Sequence, residues 1–516
     1  MAELPPDTVD FIYLMESAPY DRANTVVRNE YLATRPHFFD ANDATAPNRV
    51  YRGWVAQALT VRRSALGKEL LPGGPALPTL AAVRLDVGDE FAARRALHKG
   101  YAWRGRAVQI LRGTPGMARA DFQLLLDGVH SGEPTFGKTT ASYPISDLSH
   151  RLSKRFKDAT YDGSGGFNGG ADMKGQYRPD AVGYVHGAEG KWVDTANGWA
   201  DYCASGFHSV SAVTDGASVL VADVSNPPAA GKYYVDAANG RIRYGSPPTY
   251  KYRVDFRSAF ASNATTMGAI IKEALTARGG YSAGQIYDAA FTALDTDRPE
   301  KVGWYARDGE TLQDLVDYML SRSLCYLTAE PSLDGKLTVG ELRPPTATAK
   351  TDAQVQLVIT DRIIVPDSFR RINKEPPPRI DVLAQKNWCV LGDNELAAGA
   401  TTANKDFARQ EWRTIPKSNA TTATEFPLSD PLEIQTPFTD ITEAEAWADE
   451  VDDFLTVPQP IAECTLAVPP FALPMGAEVW IDSEINEVNG AAVVVDLDEN
   501  AQQHLVKLRF YGLTEV

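Results

Sequence analysis

Glycine and proline interrupt this chain so often, at forty and thirty-three positions, that long helices have little room to form. Glycine tolerates reversed backbone and proline removes a hydrogen-bond donor, so short strands joined by frequent turns are the expected outcome. The apolar runs fit that expectation. Phe11 to Met15, Val50 to Val61, Ala107 to Arg112 and Asp121 to Val129 read as strands, with turns at Pro47–Asn48 and Gly113 to Gly116 and loop signals at Leu71 to Pro78. Asn239–Gly240 lies between two strand-like runs within Lys232 to Tyr244. That dipeptide supplies the two positive-φ positions of a type I′ hairpin turn.

Helical periodicity appears in the middle. Thr266 can cap a helix carrying Ile270, Ile271, Ala274 and Leu275 on one face and ending at Gly279–Gly280, and Ser282 to Leu294 follows as a second. The strongest pattern runs from Glu310 to Ser321, where Leu312, Leu315, Val316, Met319 and Leu320 recur at helical spacing. Ser323 to Leu327 and Lys336 to Leu342 then form a hairpin through Asp334–Gly335. Later strands are expected at Val355 to Ile359, Arg379 to Leu383, Ala477 to Ile481, Ala491 to Leu497 and Leu505 to Tyr511. Thr442 and Glu445 have capping-box spacing at the head of a helix reaching Leu455.

At 516 residues the chain has length for roughly three to five domains of about 100–200 residues each. The fold class expected is mainly β with α+β insertions, multidomain. The divisions are 1–155, an N-terminal β domain; 156–260, a glycine-rich linker or extended loop (Tyr161 to Gly175) and a second β domain with the Asn239–Gly240 hairpin; 261–345, a small α+β domain; and 346–516, C-terminal β structure with a helix at about 441–455.

A formal charge of −16 argues against nucleic-acid binding, which relies on Lys and Arg to displace phosphate counterions. The same acidity suits a surface past which DNA slides without sticking, and it equally suits an ordinary soluble acidic protein. Met1 to Asp10 carries no basic run, so no signal peptide is expected. No apolar run approaches the roughly 18–20 residues of a membrane span, and no anchor is expected.

Motifs for chemistry are sparse. Gly132-Glu-Pro-Thr-Phe-Gly137-Lys138-Thr139 matches the letters of a phosphate-binding loop, and Asp361 could be offered as its distant magnesium-binding partner. Lys138 and Thr139 would have to open a helix, yet Thr140 to Pro144 is poor helix-forming sequence, so a glycine-containing hairpin loop is the better account. Cys203, Cys325, Cys389 and Cys464 lie far apart and read as buried reduced thiols. The seven histidines (His37, His98, His130, His150, His186, His208, His504) show no metal-binding spacing, and no Gly-x-Ser-x-Gly elbow exists. Tyr233, Tyr234, Tyr244, Tyr250 and Tyr252 read as cross-strand packing, with Arg241, Arg243, Lys251 and Arg253 on an outward hairpin face. The sequons at Asn263 and Asn419 carry no meaning without a secretory signal. No residue is assigned a catalytic, cofactor-binding or metal-binding role. The chain is read as a non-enzyme, the alternatives being a P-loop-like NTPase through Lys138, a cell-wall hydrolase, or a host-binding adhesin.

Several segments, taken in order, resemble the tail hub or tip proteins of siphophages and of Mu-like and prophage tails. The N-terminal ones are Tyr101-Ala-Trp-Arg104-Gly-Arg106, the strand Phe122 to Val129, and Asp147-Leu-Ser-His-Arg-Leu152. Next come Gly170-Ala-Asp-Met-Lys-Gly175 running into Arg178-Pro-Asp, where the family more commonly has Lys-Pro, and the hairpin Tyr233 to Gly240. Asp308 to Leu315, Gly335 to Gly340 and Glu411-Trp-Arg413 complete the order.

The resemblance implies tail-tube-like β-barrel or sandwich domains as in baseplate hubs. It implies a homo-oligomer, a trimer above all, whose paired domains give a pseudo-sixfold ring. The partners implied are a distal tail protein ring or tail tube above, central spike or fibre proteins below, and the tape-measure protein, with DNA passing transiently. The location implied is the virion tail tip, after synthesis and assembly in the host cytoplasm.

Overall fold

Ile12–Ser17 shows why an unbroken apolar run can still be a strand. Its alternate side chains enter two different cores: Tyr13 and Met15 pack with Val108 and Ile110, while Ile12 and Leu14 pack with Leu111 and Phe122. A strand covered on both faces needs no polar alternation. The computed structural model describes residues 11–65, 74–75, 79–86, 98–320, 323–373, 375–456, 460–469, 471, 473–501 and 505–515. Met1 to Asp10, His504 and most of Leu71 to Pro78 lie outside the described residues.

The architecture is mainly β, in several sheets, none of which closes into a barrel among the described residues. Ile12–Ser17 sits in a five-stranded antiparallel sheet between Glu30–Ala33 and Ala107–Gly113; Gln123–His130 and Ile145–Ser146 follow.

Residues 180–258 form two five-stranded sheets around one core that includes Val185, Phe207, Tyr244, Val254 and Phe256. The strand Gly303–Ala306 completes one of these sheets by pairing with Asp180–Ala188. The Asn239–Gly240 hairpin is present, Lys232–Asp236 against Arg241–Tyr244, but its loop has four residues rather than two. Among them only Gly240 has positive φ, at 61°. The Asp236 carboxylate explains the difference: it accepts from Asn239 Nδ2 at 2.9 and 3.1 Å, holding Asn239 in a wider turn.

The glycine-rich passage is not a linker. Tyr161 and Met173 anchor both ends in a small core with Val193 and Trp199, and Gly175 N donates to Tyr161 O at 2.8 Å. Two apolar anchors turn an otherwise flexible composition into a folded loop.

The helices keep close to the expected bounds. Leu312–Leu320 buries all five predicted side chains, each worth about 1.5–3 kcal/mol as an upper bound. It begins where Asp314 N donates to Thr311 Oγ1 at 3.2 Å and Thr311 N to Asp314 Oδ2 at 2.7 Å, a reciprocal cap. Met267–Glu273 continues through a wider turn, Ala274–Gly279, to a left-handed Gly280. Ser282 opens a short 3-10 turn, Ala283–Gln285, ahead of the helix Asp288–Asp297. The helix Ile441–Leu455 is capped by Asp440, not Thr442. The Asp440 side chain accepts from Thr442 N at 3.0 Å and Glu443 N at 3.4 Å, and a carboxylate just ahead of the first turn outcompetes a hydroxyl inside it.

An eight-stranded sheet joins the two ends of the chain. Its centre is the long hairpin Val488–Asn500 and Leu505–Glu515. Thr60–Ser64, with Thr79–Leu80 beside it, pairs antiparallel to Val488–Asn500 on one side, and Pro460–Leu466 and Arg370–Asn373 extend the other. Gly74–Pro75 adds a parallel strand to Cys325–Glu330. The largest core takes Ala65, Leu148, Val182, Leu312, Leu327, Ile461 and Phe510 together, so one apolar cluster draws on all four stretches divided above.

Candidate functional site

The phosphate-loop letters fold as a hairpin. Thr135–Phe136 pairs with Thr140–Tyr143, and Gly137 N donates to Thr140 O at 2.8 Å. Lys138 and Thr139 are exposed at the tip, with a strand and no helix behind them. No row of helix N–H groups is therefore aimed at an anion. Asp361 belongs to a different sheet region, where it accepts hydrogen bonds from Ser483 Oγ and from Ile485 N. The Ser483 bond holds its carboxyl below the usual range. The structure does not bring the two together.

Four of the described histidines make hydrogen bonds within the fold. His130 is fully buried with Nε2 3.1 Å from Ser17 Oγ, and burial pulls its pKa down to about 4. His98 Nδ1 lies 2.5 Å from Tyr143 OH, His150 Nδ1 2.7 Å from Asp147 O and His186 Nε2 3.2 Å from Thr439 O. The four thiols are buried, and burial pushes Cys325 and Cys464 up to about 12. Among the described residues no group of three or more His, Cys, Asp or Glu side chains is placed to hold a metal ion.

Buried charge is used for cross-linking. Arg63 donates to Glu330 at 2.6 Å and Glu499 at 2.5 Å, uniting three remote segments. Asp201 accepts from Arg241 at 2.6 Å, Arg178 at 3.2 Å and Tyr161 at 3.0 Å. Arg298 binds Glu450 at 2.6 Å and also Glu341. Two of the arginines assigned to an outward hairpin face are thus buried instead. Arg241 faces Asp201 across neighbouring strands, and Arg253 donates to Asn387 at 2.7 Å. Tyr244 and Tyr252 stack at 3.8 Å inside the sandwich, as packing residues.

Among the described residues, two surfaces are candidates for interaction. On the eight-stranded sheet, Arg62, Asp496, Asp498, Lys507, Arg509 and Glu463 line a shallow cleft. Charges of opposite sign alternate from strand to strand, with Arg62 3.6 Å from Asp496 and Arg509 3.3 Å from Glu463. At the rim of the sandwich, Ser218–Val219 and Val221–Ala222 are edge strands of opposite sheets, leaving Val219, Val221 and Val224 59%, 64% and 95% exposed. Unpaired strand edges with apolar side chains are surfaces that pair with other polypeptide. The groups gathered at these two surfaces suit docking.

No protein-family model matches the chain, and no curated protein sequence matches it. Solved structures do. The chain is similar to the tail protein from Neisseria meningitidis, at 9% identity over 97% of this chain and 96% of that one, with a TM-score of 0.39. It is similar to the tail protein of prophage MuSo2 from Shewanella oneidensis, at 12% identity over 90% and 96%, with a TM-score of 0.36. A chain in the virion of a native gene transfer agent particle matches at 11% identity over 66% of this chain and 85% of that one, with a TM-score of 0.41.

Proposed function

We propose that this chain is a structural subunit of a bacteriophage tail tip, of the baseplate-hub kind, closing the distal end of the tail tube. The observation that carries the reading is the order of the resembling segments. From Tyr101 to Arg413 they keep the order of the hub proteins they resemble, and each lies on or beside a defined element: the strand Tyr101–Ala102 and the turn before Ala107–Gly113, the strand Gln123–His130, the turn Leu148–Ser153, the folded loop before Asp180–Ala188, the hairpin at Gly240, the helix Leu312–Leu320, the strand Lys336–Glu341 and the start of Arg413–Ser418. The buried ion pairs that cross-link remote segments fit a part that carries load.

In this reading the subunit works as a homotrimer. Two β units per subunit present six similar edges to a distal tail protein ring or tail tube, and a threefold platform to a spike or fibre below. The tape-measure protein is the further partner. The net charge of −16 keeps the genome from adhering as it passes. The subunit is not an enzyme, and it acts at the virion tail tip after assembly in the host cytoplasm.

Negative-stain imaging of the purified protein, with its mass in solution measured beside it, tests the reading. Annular particles of threefold symmetry at three times the chain mass are expected. A compact monomer that forms no ring alone or with tail-tube protein would overturn it.

A further inference from the structure

Three aromatic rings from remote parts of the chain converge on one lysine. Tyr318 lies near the end of the helix Leu312–Leu320, Trp388 follows the strand Arg379–Ala384, and Trp412 immediately precedes the strand Arg413–Ser418. Lys386 Nζ stands 4.4 Å from the Trp388 ring centre, 5.0 Å from that of Trp412 and 5.8 Å from that of Tyr318. All three distances fall within the roughly 6 Å over which a ring face attracts a cation. Glu411 supplies one carboxylate oxygen at 3.4 Å and is itself 55% exposed, whereas the lysine side chain is only 22% exposed.

A primary ammonium is a poor match for such surroundings. It carries three N–H donors and is strongly hydrated, and here, among the described residues, it meets three aromatic rings and one carboxylate oxygen at 3.4 Å. A cation without N–H groups gives up no hydrogen bonds on entering, which is why aromatic boxes select quaternary ammonium groups. We propose that Tyr318, Trp388 and Trp412 form a recognition site for a quaternary ammonium group, with the Lys386 side chain occupying it as a tethered stand-in.

The site has a route to opening. Lys386 sits on a flexible four-carbon stem directly after Gln385, which holds a φ of 49° at a sharp reversal of the chain. Swinging the stem outward keeps the ammonium close to the exposed Glu411 carboxylate, so the displaced charge retains its partner. The rings come from a helix and from the ends of two strands that pair with each other, so the box is fixed by the scaffold and only its occupant moves. The ligand chemistry is the trimethylammonium group, shared by free choline, phosphocholine and phosphatidylcholine headgroups. The proposal does not rest on the tail-tip reading.

Tryptophan fluorescence of the full chain, titrated with tetramethylammonium chloride against sodium chloride and ammonium chloride at matched ionic strength, tests it. The wild type should show a saturable change that neither control salt gives. Lys386→Met, which removes the internal competitor, should bind roughly five- to tenfold more tightly. Trp412→Leu should weaken binding at least tenfold while its circular dichroism and melting stay those of the wild type. Broadening of the ligand's methyl proton resonance gives the same comparison without relying on the tryptophans, and Tyr318→Leu replaces Trp412→Leu should the latter fail to fold.

Choline and phosphocholine are compared with flotation on phosphatidylcholine and phosphatidylglycerol vesicles. A response to the soluble compounds alone assigns a soluble ligand, and flotation with phosphatidylcholine alone assigns the lipid headgroup. No saturable response beyond sodium chloride in either wild type or Lys386→Met overturns the proposal. So does an equal response in Lys386→Met and Lys386→Met/Trp412→Leu.

Discussion

Arg63→Met keeps an unbranched stem but shortens the side chain and removes its charge, at a junction of three remote segments held by buried ion pairs. Arg63 is fully buried between Glu330 and Glu499, at 2.6 and 2.5 Å, and both carboxylates are themselves buried. Without the guanidinium two acids face each other with little water between them. Removing one partner of a buried pair costs about 3–5 kcal/mol. The damage should spread, because Glu499 Oε1 also accepts from Phe471 N at 2.6 Å and Glu330 Oε2 from Met475 N at 3.2 Å.

One acid can relieve the repulsion by taking a proton, and burial already pushes Glu499 up with Arg63 in place. An acid whose pKa is raised by folding leaves the fold most stable at low pH and costs stability as pH rises through that interval. The variant should therefore recover part of its loss between pH 7 and pH 5. Urea unfolding at both pH values measures this. A chain with several sheets need not unfold in one step, so amide exchange at Phe471 and Met475 is the local readout. A loss below about 1 kcal/mol, or unchanged protection at those two amides, would refute the idea that this triad holds the junction.

His130, pulled from 6.5 down to about 4 by burial, makes the fold lose stability as pH falls from 6.5 toward 4, by about 3 kcal/mol in total. His130→Gln should flatten that part of the urea-midpoint profile. Gly240→Ala should destabilise the hairpin by more than about 2 kcal/mol, since a Cβ there would lie 1.8 Å from Cys203 O at a φ of 61°; thermal melting reads the loss. Lys138→Ala, at an exposed hairpin tip, should leave stability within about 0.5 kcal/mol and calorimetric titration with ATP unchanged from wild type.

What the sequence makes legible is whatever is decided locally. The five apolar residues of Leu312–Leu320 announce a buried helical stripe, and Asp334–Gly335, both with positive φ, announce a hairpin. The turn at Gly240 is legible in place but not in length, because a carboxylate three residues before Asn239 decides how wide it is. The loop 161–175 looks flexible by composition and is folded because Tyr161 and Met173 find Trp199 in space. Arg63 is buried, yet nothing in the residues around it marks it as such. Its partners stand 267 and 436 residues away, and no local pattern points to them. The ring of aromatics about Lys386 is hidden for the same reason.

The pairing of Thr60–Ser64 with Val488–Asn500 has a consequence for synthesis. A ribosome adding roughly 5–20 residues each second needs on the order of tens of seconds to travel from one strand to the other. Throughout that interval the earlier strand has only Thr79–Leu80 to pair with on one side, and Arg63 can meet Glu330 but not yet Glu499. The edge that faces Val488–Asn500 stays open until translation is nearly done, and an open strand edge is a surface to which other strands can add.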